Sequence, residues 1–203
     1  MELRDKEEAI RRYADRLERL GTTVQALGWR DRAQQYLRFE ILANIDDLDG
    51  KSVLDVGCGF GDLLAYLMDA GKRIEYTGID ISPDMVSEAQ SRYPSARFEC
   101  LDLSQQKVEG QFDYVVESGV FNHKVHDNEQ FVRDMLSAMF DHCSLGVAAN
   151  MMTSHVDYRD EYLHYYDPGE ILEYTRQLSR YAVIRHDYPL YEFTLFVYKQ
   201  NRF

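Results

Sequence analysis

The sequence is short of positive charge, of cysteine and of proline. Lys and Arg total 23 against 35 Asp and Glu, leaving a formal net charge of −12. A field of that sign repels phosphate backbones, and no Lys/Arg-rich run offsets it locally, so composition argues against a nucleic-acid partner. No apolar stretch approaches the ~18 residues needed to cross a bilayer, which argues against a membrane protein. The first twenty or so residues mix charges of both signs and hold no apolar block, so they do not read as a secretory signal. The three cysteines, Cys58, Cys100 and Cys143, have no CxxC spacing. They offer neither a disulfide framework nor a structural zinc site, and fit a reducing, cytoplasmic setting. Only four prolines punctuate the 203 residues, without linker or repeat, and the length suits one domain with elaborations.

What is present is periodic. Residues 1–20 read as a helix, with Leu3, Ile10, Leu17 and Val24 in one heptad series and Tyr13, Leu20 and Leu27 in another. That seam is expected to lie on the body of the domain, to cover the active site, or to form a homodimer contact. A second amphipathic helix follows over 31–45, so 1–45 is expected to be an N-terminal helical segment and 46–203 the main domain. From Lys51 the period changes. Strands are expected at 52–56, 74–80, 96–101, 112–117 and 144–151, with helices between them. Ser82-Pro83 and Asp167-Pro168-Gly169-Glu170 each supply an N-cap and a Pro at the first helical position. The chain closes with strands at 181–186 and 192–199 around Pro189, an antiparallel pair. Strand–helix alternation of this kind predicts an α/β three-layer sandwich with a mainly parallel sheet.

The segment Val53-Leu54-Asp55-Val56-Gly57-Cys58-Gly59-Phe60-Gly61-Asp62 carries the most chemistry. A buried strand runs into alternate glycines and then a helix, which lets backbone approach a ligand at the carboxyl end of the strand. A dinucleotide fingerprint requires glycine where Asp62 stands, and a phosphate loop requires Gly-Lys-Ser/Thr, so neither fits. The loop instead suits a nucleoside-type ligand without phosphate, its cationic end near Asp55 or Asp62. Asp80, at the tip of the second strand, is positioned to accept from a ribose diol. Asp102, after the third, is placed to accept from an adenine amino group while Leu103 packs on the ring.

Asp-Val-Gly-Cys-Gly-Phe-Gly, Gly-Ile-Asp-Ile-Ser-Pro-Asp-Met, Cys-Leu-Asp-Leu and Phe-Asp-Tyr-Val-Val-Glu-Ser-Gly-Val-Phe-Asn occur in that order. Together they resemble class I S-adenosylmethionine-dependent methyltransferases, from about residue 34 to 199. The tail is loosely similar to small bacterial trans-aconitate-type members. The resemblance implies a Rossmann-like, seven-stranded sheet ending in an antiparallel hairpin, and S-adenosylmethionine as cofactor. It implies that Asp55, Gly57, Cys58 and Gly59 line the methionine moiety, and that Asp80 binds the ribose. Ile81 and Met85 would border the nucleoside, Asp102 and Leu103 the adenine, and Glu117 and Ser118 the methyl group. Trp29, Arg30, Gln34, Gln35 and Arg38 are candidates to close on the cofactor, with Arg38 favoured to pair with its carboxylate.

In-line methyl transfer depends mainly on alignment and needs no obligatory base, so the acceptor leaves little signature. The chain lacks the Pro-Pro-Tyr/Phe signature of base and glutamine amino methyltransferases, having Glu117-Ser118-Gly119-Val120-Phe121-Asn122 instead. Phe121 with the following loop, and the insertion at about 153–167 with Tyr158, Tyr162, Tyr165 and Tyr166, are expected to form the substrate surface. The acidic residues of the insertion suit a neutral, aromatic or amine-bearing small molecule better than a polyanion. His123 and His155 are candidate general bases. His123-x-x-His126, with Asp127 next, has neither a helical His-Glu-x-x-His pattern nor a flanking Cys to support a metal site, so no metal is expected. The reading is a small-molecule O- or N-methyltransferase. The alternatives are RNA or protein methylation, or a cofactor-binding protein without turnover. An NAD-dependent oxidoreductase is opposed by Asp62 and by the closing hairpin.

Overall fold

The computed structural model describes residues 1–202. Helix α1 spans Leu3–Leu20 and α2 Arg32–Ala43, the latter capped by Asp31 Oδ1 accepting from Gln34 N–H at 2.9 Å. The alternating part then runs β1 Ser52–Val56, α3 Asp62–Asp69, β2 Glu75–Asp80, α4 Pro83–Arg92, β3 Arg97–Cys100 and β4 Phe112–Ser118. A 3₁₀ turn at Val120–Asn122 leads to α5 Asn128–His142, β5 Cys143–Met152, α6 Pro168–Thr175, β6 Tyr181–Arg185 and β7 Glu192–Tyr198. Both anticipated proline-containing helix starts are present: Ser82 Oγ accepts from Met85 N–H, and Asp167 Oδ1 from Gly169 and Glu170 N–H. Helix α6 ends at Thr175, where Leu178 and Ser179 N–H both turn back onto the Thr175 carbonyl.

The seven strands lie in the order β3-β2-β1-β4-β5-β7-β6. The first five are parallel, and β7 inserts antiparallel between β5 and β6. This is the Rossmann-like sandwich with a closing hairpin that the resemblance implied. Strand alternation sorts the side chains to two faces. Leu54, Val56, Val115, Val147 and Leu195 pack under α5 and α6. Val53, Tyr114, Val116, Ala148 and Phe196 pack under α2 and α3. The order reverses between β1 and β4, the place in open α/β sheets where ligands enter beyond the carboxyl ends of strands.

Helix α1 has no fully buried residue, and Leu3 and Leu20 are exposed. Only part of its heptad seam is used: Tyr13 and Leu17, with Leu27 beyond the helix, pack against Phe60 and Met85 of the same chain. Polar contacts complete the attachment. Lys6 lies 3.3 Å from Asp102, Asp5 accepts from His126 N–H at 3.1 Å, and the Tyr13 hydroxyl meets His123 at 3.0 Å. The helix therefore crosses the carboxyl edge of the sheet, above the tips of β3 and β4. Among the described residues, no helix is long and apolar enough to cross a membrane.

Candidate active site

A cavity of about 670 Å³ opens where the tips of β1, β2 and β4 meet under α1, a volume typical of small-ligand sites. Its floor is the glycine loop. Gly57 and Cys58 N–H both donate to the Ile79 carbonyl, at 2.8 and 3.0 Å, which ties the loop across β2. Gly57 (φ +73°) and Gly59 (φ +52°) are left-handed, a conformation that costs other residues strain. A Cβ on Gly57 would collide with Val120, and one on Gly59 would stand 2.9 Å from Leu27.

The loop is held by the carboxylate the sequence singled out. Asp80 Oδ2 accepts from Gly59 N–H at 3.0 Å and Oδ1 from Ser82 N–H at 2.9 Å. Burial nevertheless raises its pKa against those bonds. A carboxylate offers about four acceptor positions, so Asp80 retains capacity for a hydroxyl ligand. Asp55 lies deeper. Burial pushes its pKa up to about 7, with the charges of Asp80 and Asp62 adding, although the Tyr76 hydroxyl donates to it at 2.6 Å. Asp62 accepts from Gln35 Nε2 at 2.9 Å. Asp102 Oδ1 accepts from Ser104 N–H and Oγ–H, while its Oδ2 has an ion-pair contact with Lys6 that is not aligned as a hydrogen bond. Ile81, Met85, Leu101 and Leu103 supply apolar wall beside it. Glycine cradle, apolar slot and successive strand-tip carboxylates together fit a cationic nucleoside. Gln35 Oε1 and Ser118 Oγ add buried polar atoms on the wall with no partner among the described residues.

Of the cofactor candidates, Arg38, Asp55, Gly57, Cys58, Gly59, Asp80, Ile81, Met85, Asp102, Leu103 and Ser118 all line the cavity. Glu117 does not. It is fully buried behind the wall, its carboxylate accepting from Val120 N–H at 2.9 Å and its pKa driven well up by desolvation. Arg38 is not the free cation that was expected. Its Nε and Nη2 reach Glu192 at 2.6–2.9 Å, Nη1 donates to the Gln34 carbonyl, and its guanidinium lies 4.4 Å from the Trp29 ring centroid. Its charge is matched within the protein, which leaves only spare N–H groups for a ligand.

His123 lines the cavity, whereas His155 lies outside it. Its exposed ring is 3.8 Å from Asp167 and beside His186. Burial, followed by the charges of Arg12 and Arg16, lowers the His123 pKa to about 4. The imidazole is then neutral at physiological pH and a weak base. Of the substrate candidates only Tyr162 borders the cavity. Phe121 is fully buried against Phe131, Tyr158 is 79% exposed, and Tyr165 accepts from Asp160 N–H beneath Arg159. The insertion contributes through its end. Lys124 N–H donates to the Tyr162 carbonyl and His164 N–H to the Asn122 carbonyl, which brings Asp160, Tyr162 and Leu163 to the rim. Sequence reasoning missed Arg12, Tyr13 and Arg16. Their one signal was a shared face of α1, at spacings that every amphipathic helix shows.

Residues 53–142 match a family model described as a methyltransferase domain. A Mycobacterium tuberculosis protein named as a methyltransferase, Rv1506c, is 37% identical over 168 residues, covering 77% of this chain and 98% of the relative. Trans-aconitate 2-methyltransferase of Afipia carboxidovorans is 36% identical over 75 residues, 32% of this chain and 29% of that enzyme. Among solved structures, magnesium protoporphyrin IX methyltransferase from Synechocystis with bound S-adenosylhomocysteine superposes with a TM-score of 0.67. It is 19% identical, with 97% of this chain and 100% of that one covered. The full-length match to a relative, the family model and the glycine-loop cavity agree, and the chain belongs to the class I S-adenosylmethionine-dependent methyltransferases.

Proposed function

We propose that this enzyme methylates a small molecule inside the cavity beneath α1. The observation that carries the proposal is the way the cavity is bounded. Helix α1 crosses one side, the Asp160–Leu163 segment is stitched to the loop after β4 on another, and the space between has small-ligand dimensions. A polymer would have to dislodge one of these walls to bring its reacting atom to Ser118. The acidity of the chain also disfavours RNA. The short similarity to a trans-aconitate methyltransferase supports a small acceptor without identifying one.

In this reading Asp80 takes the ribose hydroxyls, Asp102 and Leu103 the adenine, and Asp55 and Asp62 face the cationic end of the cofactor. The bound cofactor supplies an electrophilic methyl group on a sulfonium. The protein's contribution is to hold acceptor and cofactor in line and to keep water out, with α1 acting as a cover. Helix α2, which the division at residue 45 grouped with α1, is packed into the core through Phe39, Ile41 and Leu42, with Ile45 just beyond it, and belongs to the domain itself. Ser118, Asn122, His123 and Tyr162 border the acceptor side. The test uses S-adenosylmethionine labelled in its methyl group, incubated with the metabolite, RNA and protein fractions of one cell extract. Label entering the metabolite fraction supports the proposal. Transfer confined to RNA or protein overturns it, and cofactor binding without transfer to any fraction would make this a binding protein.

A further inference from the structure

Arg12, Arg16, Arg30 and Arg38 line the cavity, and their pairing differs. Arg30 is bonded to Asp31 at 3.1 Å and Arg38 to Glu192 at 2.6–2.9 Å. Arg12 and Arg16 have no carboxylate partner among the described residues, and Nη1 of Arg16 is buried without any hydrogen-bond acceptor. In a chain with 35 acidic groups for 23 basic ones, two half-buried arginines side by side without a counter-charge are out of keeping with composition. An exposed cation is solvated by water. A buried guanidinium N–H that lacks an acceptor is costly to the fold, so it is expected to be satisfied in another state of the protein.

Their position on α1 gives that state a location. Arg12 and Arg16 are one turn apart, flank Tyr13, and both impose their charge on His123. Tyr13 and His123 bond to each other at 3.0 Å, and His123 Nδ1 is a further buried polar atom with no partner. His123 stands in the connection from β4 to α5 that begins at Ser118, which puts this group on the β4 side of the cavity, where the acceptor is proposed to enter. We propose that Arg12 and Arg16 form an anion subsite for the methyl acceptor, which is therefore a small carboxylate held by its negative charge. This inference rests on the small-molecule reading above and gives it a substrate class.

The chemistry around the subsite agrees. Asp55, Asp62, Asp80 and Asp102 share the cavity with the two guanidinium groups, and their repulsion grows with the charge of the ligand, which favours a singly charged carboxylate over a dianionic phosphate. Carboxylates are ionised at neutral pH, so binding one requires no proton acceptor, and the weakly basic His123 supplies none. A guanidinium presents paired N–H donors that match a carboxylate edge. The insertion's acidic residues do not oppose this: Asp157 and Glu161 are exposed and only Asp160 reaches the rim.

The test follows binding in the S-adenosylhomocysteine complex. Trp29, the one tryptophan of the chain, lines the cavity and serves as a fluorescence reporter. The complex is titrated with aromatic and aliphatic mono-, di- and tricarboxylates, with their carboxamides and with phosphate esters of similar size. At least one carboxylate should bind, its amide about 10- to 100-fold more weakly, and Arg12→Gln and Arg16→Gln should each lose a similar factor. Arg19→Gln, the same charge change at the exposed end of α1, should leave binding unchanged. Circular dichroism checks that the variants remain folded, and Arg16→Lys should recover part of the loss. Equal binding of acids and amides, preference for the phosphate esters, or no effect of either glutamine variant overturns the inference. So does a loss in Arg16→Gln of S-adenosylhomocysteine affinity with 5′-methylthioadenosine binding unchanged, since the arginine would then hold the cofactor's own carboxylate. Failure of the wild-type protein to bind S-adenosylhomocysteine would instead defeat the reading on which the inference rests.

Discussion

Asp55→Asn should stabilise the cofactor-free protein, and by an amount that grows with pH. Asp55 is 4% exposed at the end of β1, and its folded-state pKa is about 7 against an ordinary 3.8. Burial is the main cause, reinforced by the charges of Asp80 and Asp62. Between those two values the folded chain holds a proton that the unfolded chain has released, so stability falls as pH rises through the interval. The full penalty is present above about pH 7 and amounts to about 4 kcal/mol. An asparagine keeps an oxygen to accept the Tyr76 hydroxyl, now at 2.6 Å from Asp55, and cannot ionise. The advantage of the variant over wild type should therefore be near zero at pH 4 and reach its plateau near pH 8. Denaturant unfolding at pH 4, 6 and 8 measures it, with the difference between the chains cancelling groups that titrate in both. Cofactor binding supplies the opposite sign. A cation beside Asp55 favours the ionised form, so wild-type affinity for S-adenosylmethionine should rise between pH 6 and 8 while that of Asp55→Asn stays flatter. A stability difference that is constant with pH, or that favours aspartate at pH 8, would refute the assignment of a buried carboxyl kept for a cationic ligand.

Asp80→Ala removes both the proposed ribose acceptor and the anchor for Gly59 and Ser82 N–H, and should weaken S-adenosylhomocysteine by about 1–3 kcal/mol in calorimetry; unchanged affinity would contradict the ribose role. Glu192→Gln leaves Arg38 buried without its counter-charge and should cost about 3–5 kcal/mol of stability in denaturant unfolding, whereas replacing both residues by methionine should recover most of that loss. His123 should give an imidazole NMR titration with its midpoint near 4, and observation of a charged ring at pH 6 would show the surroundings to be less enclosed than Tyr13, Arg12 and Arg16 make them.

The framework of the fold was legible because its signals are local. The run from Val53 to Asp62 needs a buried strand, left-handed glycines and a helix start in immediate succession, and that order nearly determines the backbone. Asp80 and Asp102 follow from it, since the carboxyl end of a parallel strand always faces the same edge of the sheet. Ser82 and Asp167 announce their helices by hydrogen-bonding chemistry that involves only a few neighbouring residues.

What was not legible depends on partners distant in the chain. Arg38 reads as a cation waiting for a ligand until β7 brings Glu192 to it across 154 positions. The insertion misdirects for a related reason. Its tyrosines and acids have no period, so composition cannot say that Tyr158 faces solvent and that Tyr165 is taken up by the Asp160 backbone while Tyr162 reaches the rim. The reverse error falls on α1, where Arg12 and Arg16 look like the solvated face of an amphipathic helix. Charge decides between these cases only after pairing is known. Arg38 is disqualified as a free cation by Glu192, and Arg12 and Arg16 gain significance because neither has a carboxylate partner among the described residues, Arg16 lying instead over the Tyr13 ring. The net charge of −12 therefore says little about the acceptor, because the cavity wall under α1 carries two arginines that no carboxylate of the described residues pairs with.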